Sequence, residues 1–443
     1  MPINLPNNQA RDDVLAGRPA LWLNPNLKQD GIWDTKLPVR PSKVSEAESN
    51  WMLIASLLEK CFPELKATGG KIESALIEVS PMREALGYSS SEFGRIFVKA
   101  DNDLPVAGSI QARGGVYEVF MHAKALAESQ GIISSEKEVD RLVSEEANAL
   151  FSKHTIAVGS TGNLGLSVGI AARALGFQAV VHVCSEAKDW KVDRLTRLGV
   201  QVVRHEVDYS DAIDQARTQA EVDANTYFID NERSQTLFFG YSAAANELAS
   251  QLSKARITVD DNHPLFVYLP CGIGGAPGGA SYGLKAIFGN AAHTFFVEPV
   301  QSPSALIKMM SGSSEQVSVY DVGLNNKTEA DGIAAPRMSE FVAEVMKPLL
   351  SGVFTVVDDD LFRWLWIAQT QQSIRLEPSA TAGFAGPEFI VNSPQGHAYL
   401  EQHGLREKIA NATHVVWTTG GAFVPEEQFT KFMERGASLV KDS

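Results

Sequence analysis

The sequence predicts an α/β fold in which parallel β-sheets are covered on both faces by helices. Between residues 155 and 297, short apolar segments alternate with longer segments of helical character, and this alternation is typical of parallel sheets. The loops that join these strands to the following helices are rich in glycine, serine and threonine, as ligand-binding loops of such proteins are. With 443 residues, 44% of them hydrophobic, the chain is long enough for two or three domains.

The individual elements follow from the apolar pattern along the chain. Residues 42–61 carry apolar side chains at helical spacing, and Pro63 ends this predicted helix. Lys99 closes an apolar strand at 95–99, so we expect a solvated side chain there. Further strands are predicted at 155–158, 179–184, 201–204, 227–229, 265–269, 293–297, 354–357 and 414–417, and further helices at 117–130, 164–175, 190–198, 236–252 and 280–288.

Composition excludes several classes of partner. The 53 acidic and 39 basic residues give a net charge of −14, which is unfavourable for binding nucleic acid or an anionic membrane. The three cysteines, Cys61, Cys184 and Cys271, form no pattern of a disulfide framework or a zinc cluster. The amino terminus lacks the charged and apolar regions of a signal peptide, and no apolar run approaches about 20 residues. We therefore expect a cytoplasmic protein.

The loop Cys271-Gly-Ile-Gly-Gly-Ala-Pro-Gly-Gly279 is the strongest chemical signal in the chain. Glycines let the backbone approach an anion closely, and the helix that follows directs backbone N–H groups and a partial positive charge at the loop. One or two glycines would indicate only a tight turn. A cluster this dense between a strand and a helix indicates a phosphate site.

Two further loops follow predicted strands. Gly159-Ser-Thr-Gly-Asn-Leu-Gly165 places the short polar side chains of Ser160, Thr161 and Asn163 at a helix amino terminus, where they can hold a carboxylate or simply cap the helix. Trp417-Thr-Thr-Gly-Gly421 ends a strand and can present a hydroxyl to a ring nitrogen or form a plain turn.

A dinucleotide-binding site is the rival interpretation of the glycine loop. Glu298 lies about 20 residues beyond Gly278, where a ribose-binding acid stands in such proteins, and Glu186 is placed similarly after the second loop. The glycine spacing does not fit, because the position of the third glycine is Pro277. A phosphate-bearing cofactor fits the pattern better.

Several motifs resemble those of the serine and threonine dehydratases, which are fold-type II pyridoxal phosphate (PLP) enzymes with a tryptophan synthase beta-like fold. The segment Pro105-Val-Ala-Gly-Ser-Ile-Gln-Ala-Arg-Gly-Gly115 resembles the signature that carries the family's Schiff-base lysine. The string that runs from Pro270 to Gly279 is similar to the phosphate loop of D-serine dehydratases in particular. Further matches are Phe228-Ile-Asp230, Ala330-Asp-Gly-Ile333, Arg375-Leu-Glu-Pro-Ser379 and Val424-Pro-Glu-Glu427.

The resemblance implies a role for each matching residue. Asn163 would donate to the 3-hydroxyl of PLP, and Thr419 would face its pyridine nitrogen. Ser160 and Thr161 would hold the substrate carboxylate, and Glu298 is a candidate ligand of a monovalent cation. The cofactor phosphate would lie among Gly272, Gly274, Gly275, Gly278 and Gly279.

The resemblance also implies a lyase of D-amino acid metabolism. The expected reaction converts D-serine, with D-threonine as a further candidate substrate, to a keto acid and ammonia; from D-serine the products are pyruvate and ammonia. We expect a large PLP-binding domain made of residues 1–115 plus 234–443, including an amino-terminal arm, and a small domain of residues 116–233 that carries the Ser-Thr-Gly-Asn loop. By resemblance, a monomer is expected.

Gln111 occupies the position of the family's lysine. The amide of glutamine is neither nucleophilic nor basic, so it can neither hold PLP covalently nor move protons at the α-carbon. We therefore expect reversible PLP binding without a Schiff base. Three explanations are open: a trapped or engineered variant of an active enzyme, a homologue that retains only ligand binding, or replacement by another lysine such as Lys99.

Overall fold

The computed structural model describes residues 5–29, 33, 37–88, 90–160, 162–184, 187–206 and 209–441. Its strands are β1 (Leu21–Leu23), β2 (Leu76–Glu78), β3 (Arg95–Ala100), β4 (Thr155–Gly159), β5 (Gln178–Cys184), β6 (Gln201–His205), β7 (Thr226–Ile229), β8 (Leu265–Pro270), β9 (Ala292–Pro299), β10 (Gly352–Val356) and β11 (Thr413–Thr418).

The helices of the described residues are α1 (Gln9–Leu15), α2 (Ser42–Cys61), α3 (Ser80–Ala85), α4 (Tyr117–Ser129), α5 (Glu145–Phe151), α6 (Asn163–Leu175), α7 (Asp189–Arg197), α8 (Tyr209–Glu221), α9 (Gln235–Ser242), α10 (Ala244–Lys254), α11 (Gly275–Phe288), α12 (Ser304–Ser311), α13 (Glu340–Met346), α14 (Asp358–Gln372), α15 (Gly386–Asn392), α16 (Pro394–Gln402) and α17 (Glu426–Lys441). None of these helices is long and apolar enough to cross a membrane.

The chain forms two compact units. The large unit comprises Met1–Pro41, Ser74–Asp103 and Ala244–Ser443, and the small unit comprises Ser42–Glu73 and Leu104–Ala243. These boundaries differ from the expected domains, 1–115 plus 234–443 and 116–233. Residues 42–73, 104–115 and 234–243 lie in the small unit, so Gln111 lies in the same unit as the Ser-Thr-Gly-Asn loop.

The large unit contains a seven-stranded sheet in the order β1-β10-β9-β8-β11-β3-β2. The five central strands are parallel, whereas β1 and β2 pair antiparallel at the two edges. Every residue of β8, β9, β10 and β11 is buried, as expected for strands covered on both faces. The predicted parallel architecture is therefore confirmed in this unit.

The small unit contains a four-stranded sheet in the order β6-β5-β4-β7, and all of its pairs are parallel. The predicted strands of this region are confirmed. The helix predicted at 236–252 is instead two helices, α9 and α10, which Ala243 separates. The apolar pattern continues across both helices, so nothing in the sequence indicates a break between them.

The prediction that the helix after the glycine loop begins at residue 280 was wrong, because α11 begins at Gly275. Glycine has a low helix propensity, so the sequence pattern favoured an extended loop. Pro277 is tolerated in the first turn, since its missing N–H has no intrahelical partner there. Much of the glycine-rich string is therefore helix amino terminus.

Candidate active site

The glycine loop lies between β8 and α11 in the large unit. Gly274 has a φ of 109°, in the left-handed region that favours glycine. A Cβ atom at Gly274 would lie 3.2 Å from Cγ1 of Val342, and one at Gly272 would lie 3.2 Å from Cα of Ile333. The loop therefore uses glycine both for its conformation and for close packing against the chain.

Several backbone N–H groups of this loop could donate hydrogen bonds to an anion. Cys271 donates to the carbonyl of Val297 at 2.8 Å, and Gly278 donates to the carbonyl of Gly274 at 2.8 Å. Between these two residues, the N–H groups of residues 272–276 have no acceptor within the described part of the chain. Unpaired donors at the amino terminus of the 14-residue helix α11 are suited to binding an anion.

Thr418 and Thr419, at the end of β11, differ in environment. Thr418 is fully buried, and its hydroxyl lies 3.0 Å from the carbonyl oxygen of Lys99 and 2.7 Å from Oδ1 of Asn102. Thr419 is half-buried, and its hydroxyl has no partner among the described residues. Of the two, only Thr419 retains a hydroxyl for a ligand.

Glu298 is completely buried near the end of β9. Its carboxylate accepts backbone N–H groups of Ala305 at 2.7 Å and Leu306 at 2.9 Å, at the start of α12. Burial raises the pKa of Glu298 to about 8, against the opposing effect of these hydrogen bonds. The contacts are those of a carboxylate at a helix amino terminus. Within the described residues, no cluster of three or more histidine, cysteine or acidic residues could hold a metal ion.

Gln111 precedes a π-helical turn, Ala112–Val116, in the small unit. The hydroxyl of Tyr241, on α9, donates to Oε1 of Gln111. The hydroxyl of Ser167, on α6, donates to the backbone carbonyl of Gln111 at 2.8 Å. Burial raises the pKa of Tyr241 well above its ordinary value, which keeps this hydroxyl protonated as a donor.

Two glycines explain how closely this segment packs. A Cβ atom at Gly114 would overlap the ring of Tyr241, and one at Gly115 would lie 2.5 Å from Oγ of Ser167. The glycine pair of the signature therefore admits two side chains that fix residue 111. Sequence reasoning missed both, because neither Tyr241 nor Ser167 belongs to a recognised motif.

The Ser-Thr-Gly-Asn loop connects β4 to α6. The N–H of Ser160 donates to the carbonyl of His182 at 2.9 Å, and its hydroxyl accepts the N–H of Gly162 at 3.1 Å. Asn163 is the first residue of α6, the helix that also carries Ser167. Thr161 lies outside the described residues, and so does Glu186 of the rival dinucleotide interpretation.

The expectation that Lys99 is solvated was wrong, because its side chain is completely buried. Its Nζ donates to the carbonyl oxygen of Ser74 at 2.9 Å and to the hydroxyl of the same residue, and it forms an ion pair with Glu247. These contacts occupy the donors of an ammonium group. Lys99 is therefore a buried structural cation rather than an available amine.

The predicted residues gather at two places, one in each unit. In the large unit, the glycine loop, Glu298 and Thr419 lie at or near the carboxyl ends of β8, β9 and β11, and β8 pairs with both of the others. These are parallel strands, so the three features share one edge of the sheet. In the small unit, α6 links Asn163 to the Gln111 segment through Ser167.

Comparison with known proteins identifies the family of the chain. A family model described as pyridoxal-phosphate dependent enzyme matches residues 74–394. A protein of Sinorhizobium medicae named probable D-serine dehydratase is 61% identical over 434 residues, which cover 98% of each chain. A protein of the same name from Pseudomonas aeruginosa is 47% identical over 431 residues, covering 97% of this chain and 96% of that one. The chain therefore belongs to the D-serine dehydratase family of PLP-dependent lyases.

The solved structures confirm the fold. Diaminopropionate ammonia lyase from Escherichia coli, in complex with D-serine, superposes with a TM-score of 0.69. The match covers 95% of this chain and 97% of the other, at 17% sequence identity. The predicted class, an α/β protein of PLP fold type II, is thereby confirmed.

Proposed function

We propose that this chain binds PLP reversibly and takes D-serine as its substrate, in a β-elimination to pyruvate and ammonia that Gln111 impairs. The relatives at 61% and 47% identity are named probable D-serine dehydratase, which supports the substrate. The unpaired N–H groups of residues 272–276, at the amino terminus of α11, are the observation that carries the cofactor proposal.

The residues present fit the cofactor phosphate. Backbone donors at a helix amino terminus stabilise a dianion through hydrogen bonds and the helix dipole. Gly274 provides the left-handed turn that presents these donors. The residues that would surround the phosphate are Gly272, Gly274, Gly275, Gly278 and Gly279.

The ring of PLP would be held by neutral groups. Bound PLP supplies an electron sink for the electron pair released at the substrate's α-carbon. The Thr419 hydroxyl would face the pyridine nitrogen, and a neutral hydroxyl does not force protonation of the ring, which suits a reaction whose leaving group departs promptly. Asn163 would donate to the 3-hydroxyl.

The substrate carboxylate would be bound by Ser160 and Thr161 before α6. The Ser160 oxygen already accepts the N–H of Gly162, so its proton remains for a carboxylate oxygen. The amino terminus of α6 adds a favourable dipole for the same charge. A role for Glu298 in binding a monovalent cation, and the monomeric state, stay predictions.

Gln111 is the group that does not fit an active enzyme. Its side-chain carbonyl accepts from Tyr241, and its amide nitrogen cannot remove or return a proton at the α-carbon. The loss of positioned acid–base catalysis alone costs a factor of about 10² to 10⁴. We therefore expect turnover far below that of a lysine-bearing relative.

A second candidate function is binding of PLP or an amino acid without catalysis. The observation that favours it is the defined hydrogen bond between Tyr241 and Gln111, which gives the glutamine a settled place in the fold. The intact glycine loop is compatible with either function. The structure opposes Lys99 as the replacement lysine, because Lys99 is buried and ion-paired with Glu247.

The experiment that separates these functions measures pyruvate release from D-serine at saturating PLP. We compare this chain with its Gln111→Lys variant and with Gln111→Met, a control of similar length without an amine. We expect turnover at least about 100-fold higher in the lysine variant, and preference for D-serine over L-serine. Comparable rates in all three would refute the account of Gln111, and a folded but inactive lysine variant that binds PLP would favour the non-catalytic function.

A further inference from the structure

A cavity of about 240 Å³ lies in the large unit, away from the glycine loop. Lys285, on α11, lines it together with His293 of β9 and His403. Lys285 is about ten residues beyond Gly275, and an α-helix rises 1.5 Å per residue, so about 15 Å separates the two positions along the helix. The cavity also adjoins the amino-terminal ends of β8 and β9, whereas the glycine loop follows the carboxyl end of β8.

Lys285 is the unusual group of this cavity. Its side chain is buried, with 2% of the residue exposed, and it has no hydrogen-bond or ion-pair partner within the described residues. Burial lowers the pKa of Lys285 to about 8. An ammonium group removed from water without a counter-ion is destabilising, so such groups are normally paired in folded proteins.

The two histidines add no negative charge to the cavity, and each neutral ring carries one N–H group that can donate a hydrogen bond. Burial, together with the nearby Lys285, lowers the pKa of both His293 and His403. The amide nitrogen of Gln29 lies 2.7 Å from Nδ1 of His403 and donates to it, which leaves the proton of neutral His403 on Nε2. Nδ1 of His293 is 2.8 Å from the hydroxyl of Tyr399.

The other charged groups of the lining balance one another, so the excess positive charge of the cavity is that of Lys285. Lys28 and Lys408 also line the cavity. Of the two carboxylates that line it, Asp260 is already engaged, since Oδ1 is 2.8 Å from Nδ1 of His263 and accepts two backbone N–H groups. Asp261 is exposed to solvent. Neither aspartate appears among the groups that shift the pKa of Lys285, for which burial is the cause.

We propose that this cavity binds a small oxyanion, either a carboxylate or a phosphate, against the buried ammonium of Lys285. The anion provides the negative counter-charge that Lys285 lacks among the described residues. The neighbouring histidine and lysine side chains can donate hydrogen bonds to its remaining oxygens. This site is separate from the PLP site, because the length of α11 prevents Lys285 from reaching a phosphate held at Gly275.

Binding of an anion must change the protonation of Lys285. An opposite charge within about 4–6 Å favours the charged form of a titrating group by about one pH unit or more. Protonation of Lys285 and binding of the anion therefore favour each other. Anion affinity falls as the pH rises above the pKa of Lys285 without the anion, which is about 8. Lys285 is thus both the group that binds the anion and a local reporter of whether the anion is bound.

The test is nuclear magnetic resonance of the full-length protein labelled with carbon-13 and nitrogen-15 in lysine. The Lys285 signal is assigned by its loss in Lys285→Arg and followed from pH 6 to pH 10 in separate series with phosphate, acetate and chloride at equal ionic strength. Lys308 is the matched control, since it is also buried but donates to the carbonyls of Ser313 and Glu315. A phosphate at the distant glycine loop leaves Lys285 unaffected, because salt screens charges over about 10 Å.

We expect the titration midpoint of Lys285 to rise by about one pH unit with phosphate, acetate or both, while chloride and the Lys308 signal show no change. A rise with only one oxyanion identifies the ligand class. The same titration midpoint of Lys285 in phosphate, acetate and chloride would overturn the proposal. If Lys285→Arg does not fold, Lys285→Met serves for the assignment and, in a melting experiment, should lose the anion-dependent rise in Tm.

Discussion

The glycine loop of the large unit and the Gln111 segment of the small unit differ in which atoms they offer to a ligand. The loop offers backbone N–H groups of residues 272–276, so its chemistry survives most side-chain changes. Residue 111 offers only its side chain, to which Tyr241 donates, while Ser167 donates to its backbone carbonyl. A single substitution of the family's lysine can therefore remove its amine and leave both the proposed phosphate loop and the local packing intact.

The largest expected effect concerns the packing of the Gln111 segment. Gly114→Ala places a Cβ atom into the ring of Tyr241, and overpacking of a well-packed core costs about 1–3 kcal/mol. We expect the upper end, about 3 kcal/mol in the free energy of unfolding, measured by chemical denaturation. Gly162→Ala is the control, because no atom lies within 4 Å of the added Cβ. Equal stability of the two variants would refute the close packing.

A second effect concerns the carboxylate near the glycine loop. Burial raises the pKa of the Cys271 thiol in this loop, and the nearby Glu298 raises it further. The pKa of Glu298 is raised from 4.5 to about 8, so the folded state holds its proton more tightly than the unfolded state. Stability from this group is complete below about pH 4.5 and is lost as pH rises through about 8.

The pH dependence can be isolated with Glu298→Gln. We expect the free energy of unfolding of this chain to fall by about 3 kcal/mol between pH 5 and pH 8 relative to that variant, and to level off above pH 8. Urea titrations at each pH measure the difference. Parallel curves for the two proteins would show that the pKa of Glu298 is not raised.

The third effect tests whether the backbone loop anchors the cofactor. Gly274→Ala introduces a side chain at a φ of 109° and 3.2 Å from Cγ1 of Val342, which displaces the donors of residues 272–276. We expect the Kd for PLP, measured by equilibrium dialysis, to rise about tenfold, equivalent to about 1.4 kcal/mol. Gly289→Ala, at a φ of 55° with open space at the far end of α11, should bind PLP unchanged. A similar loss in both would contradict the loop assignment.

The smallest effect concerns the partner of Gln111. Tyr241→Phe removes the hydroxyl that donates to Oε1 of Gln111, and one such hydrogen bond contributes about 1 kcal/mol. We expect that loss in the free energy of unfolding for this chain and a smaller one in the Gln111→Lys background, where the acceptor is absent. Equal losses in both backgrounds would show that Tyr241 stabilises the fold without Gln111.

The sequence predicted the regular parts of the fold because strongly patterned segments determine their own structure. The parallel strands β4, β5, β8 and β9 carry continuous apolar runs and were found within two residues of their bounds. The edge strands β1 and β2 have three residues each, too few for a periodic signal. Their pairing depends on β10 and β3, which are distant in sequence.

The side-chain environments were less predictable than the motifs. Lys99 looked like a solvated strand end, because no local pattern shows that Ser74 and Glu247 provide a buried site for its ammonium. Tyr241 and Ser167 were missed for the same reason. The motifs are local in sequence, whereas the side chains that support residue 111 come from separate helices.

The central claim is that the chain holds PLP through the glycine loop with no covalent bond, and borohydride reduction tests it most directly. The PLP complexes of this chain and of Gln111→Lys are reduced, denatured and dialysed, and attached cofactor is located by peptide mapping. We predict that this chain releases its PLP completely, while the variant retains it on residue 111. Cofactor retained on any lysine of the unaltered chain, at a level comparable to the variant, would contradict the account.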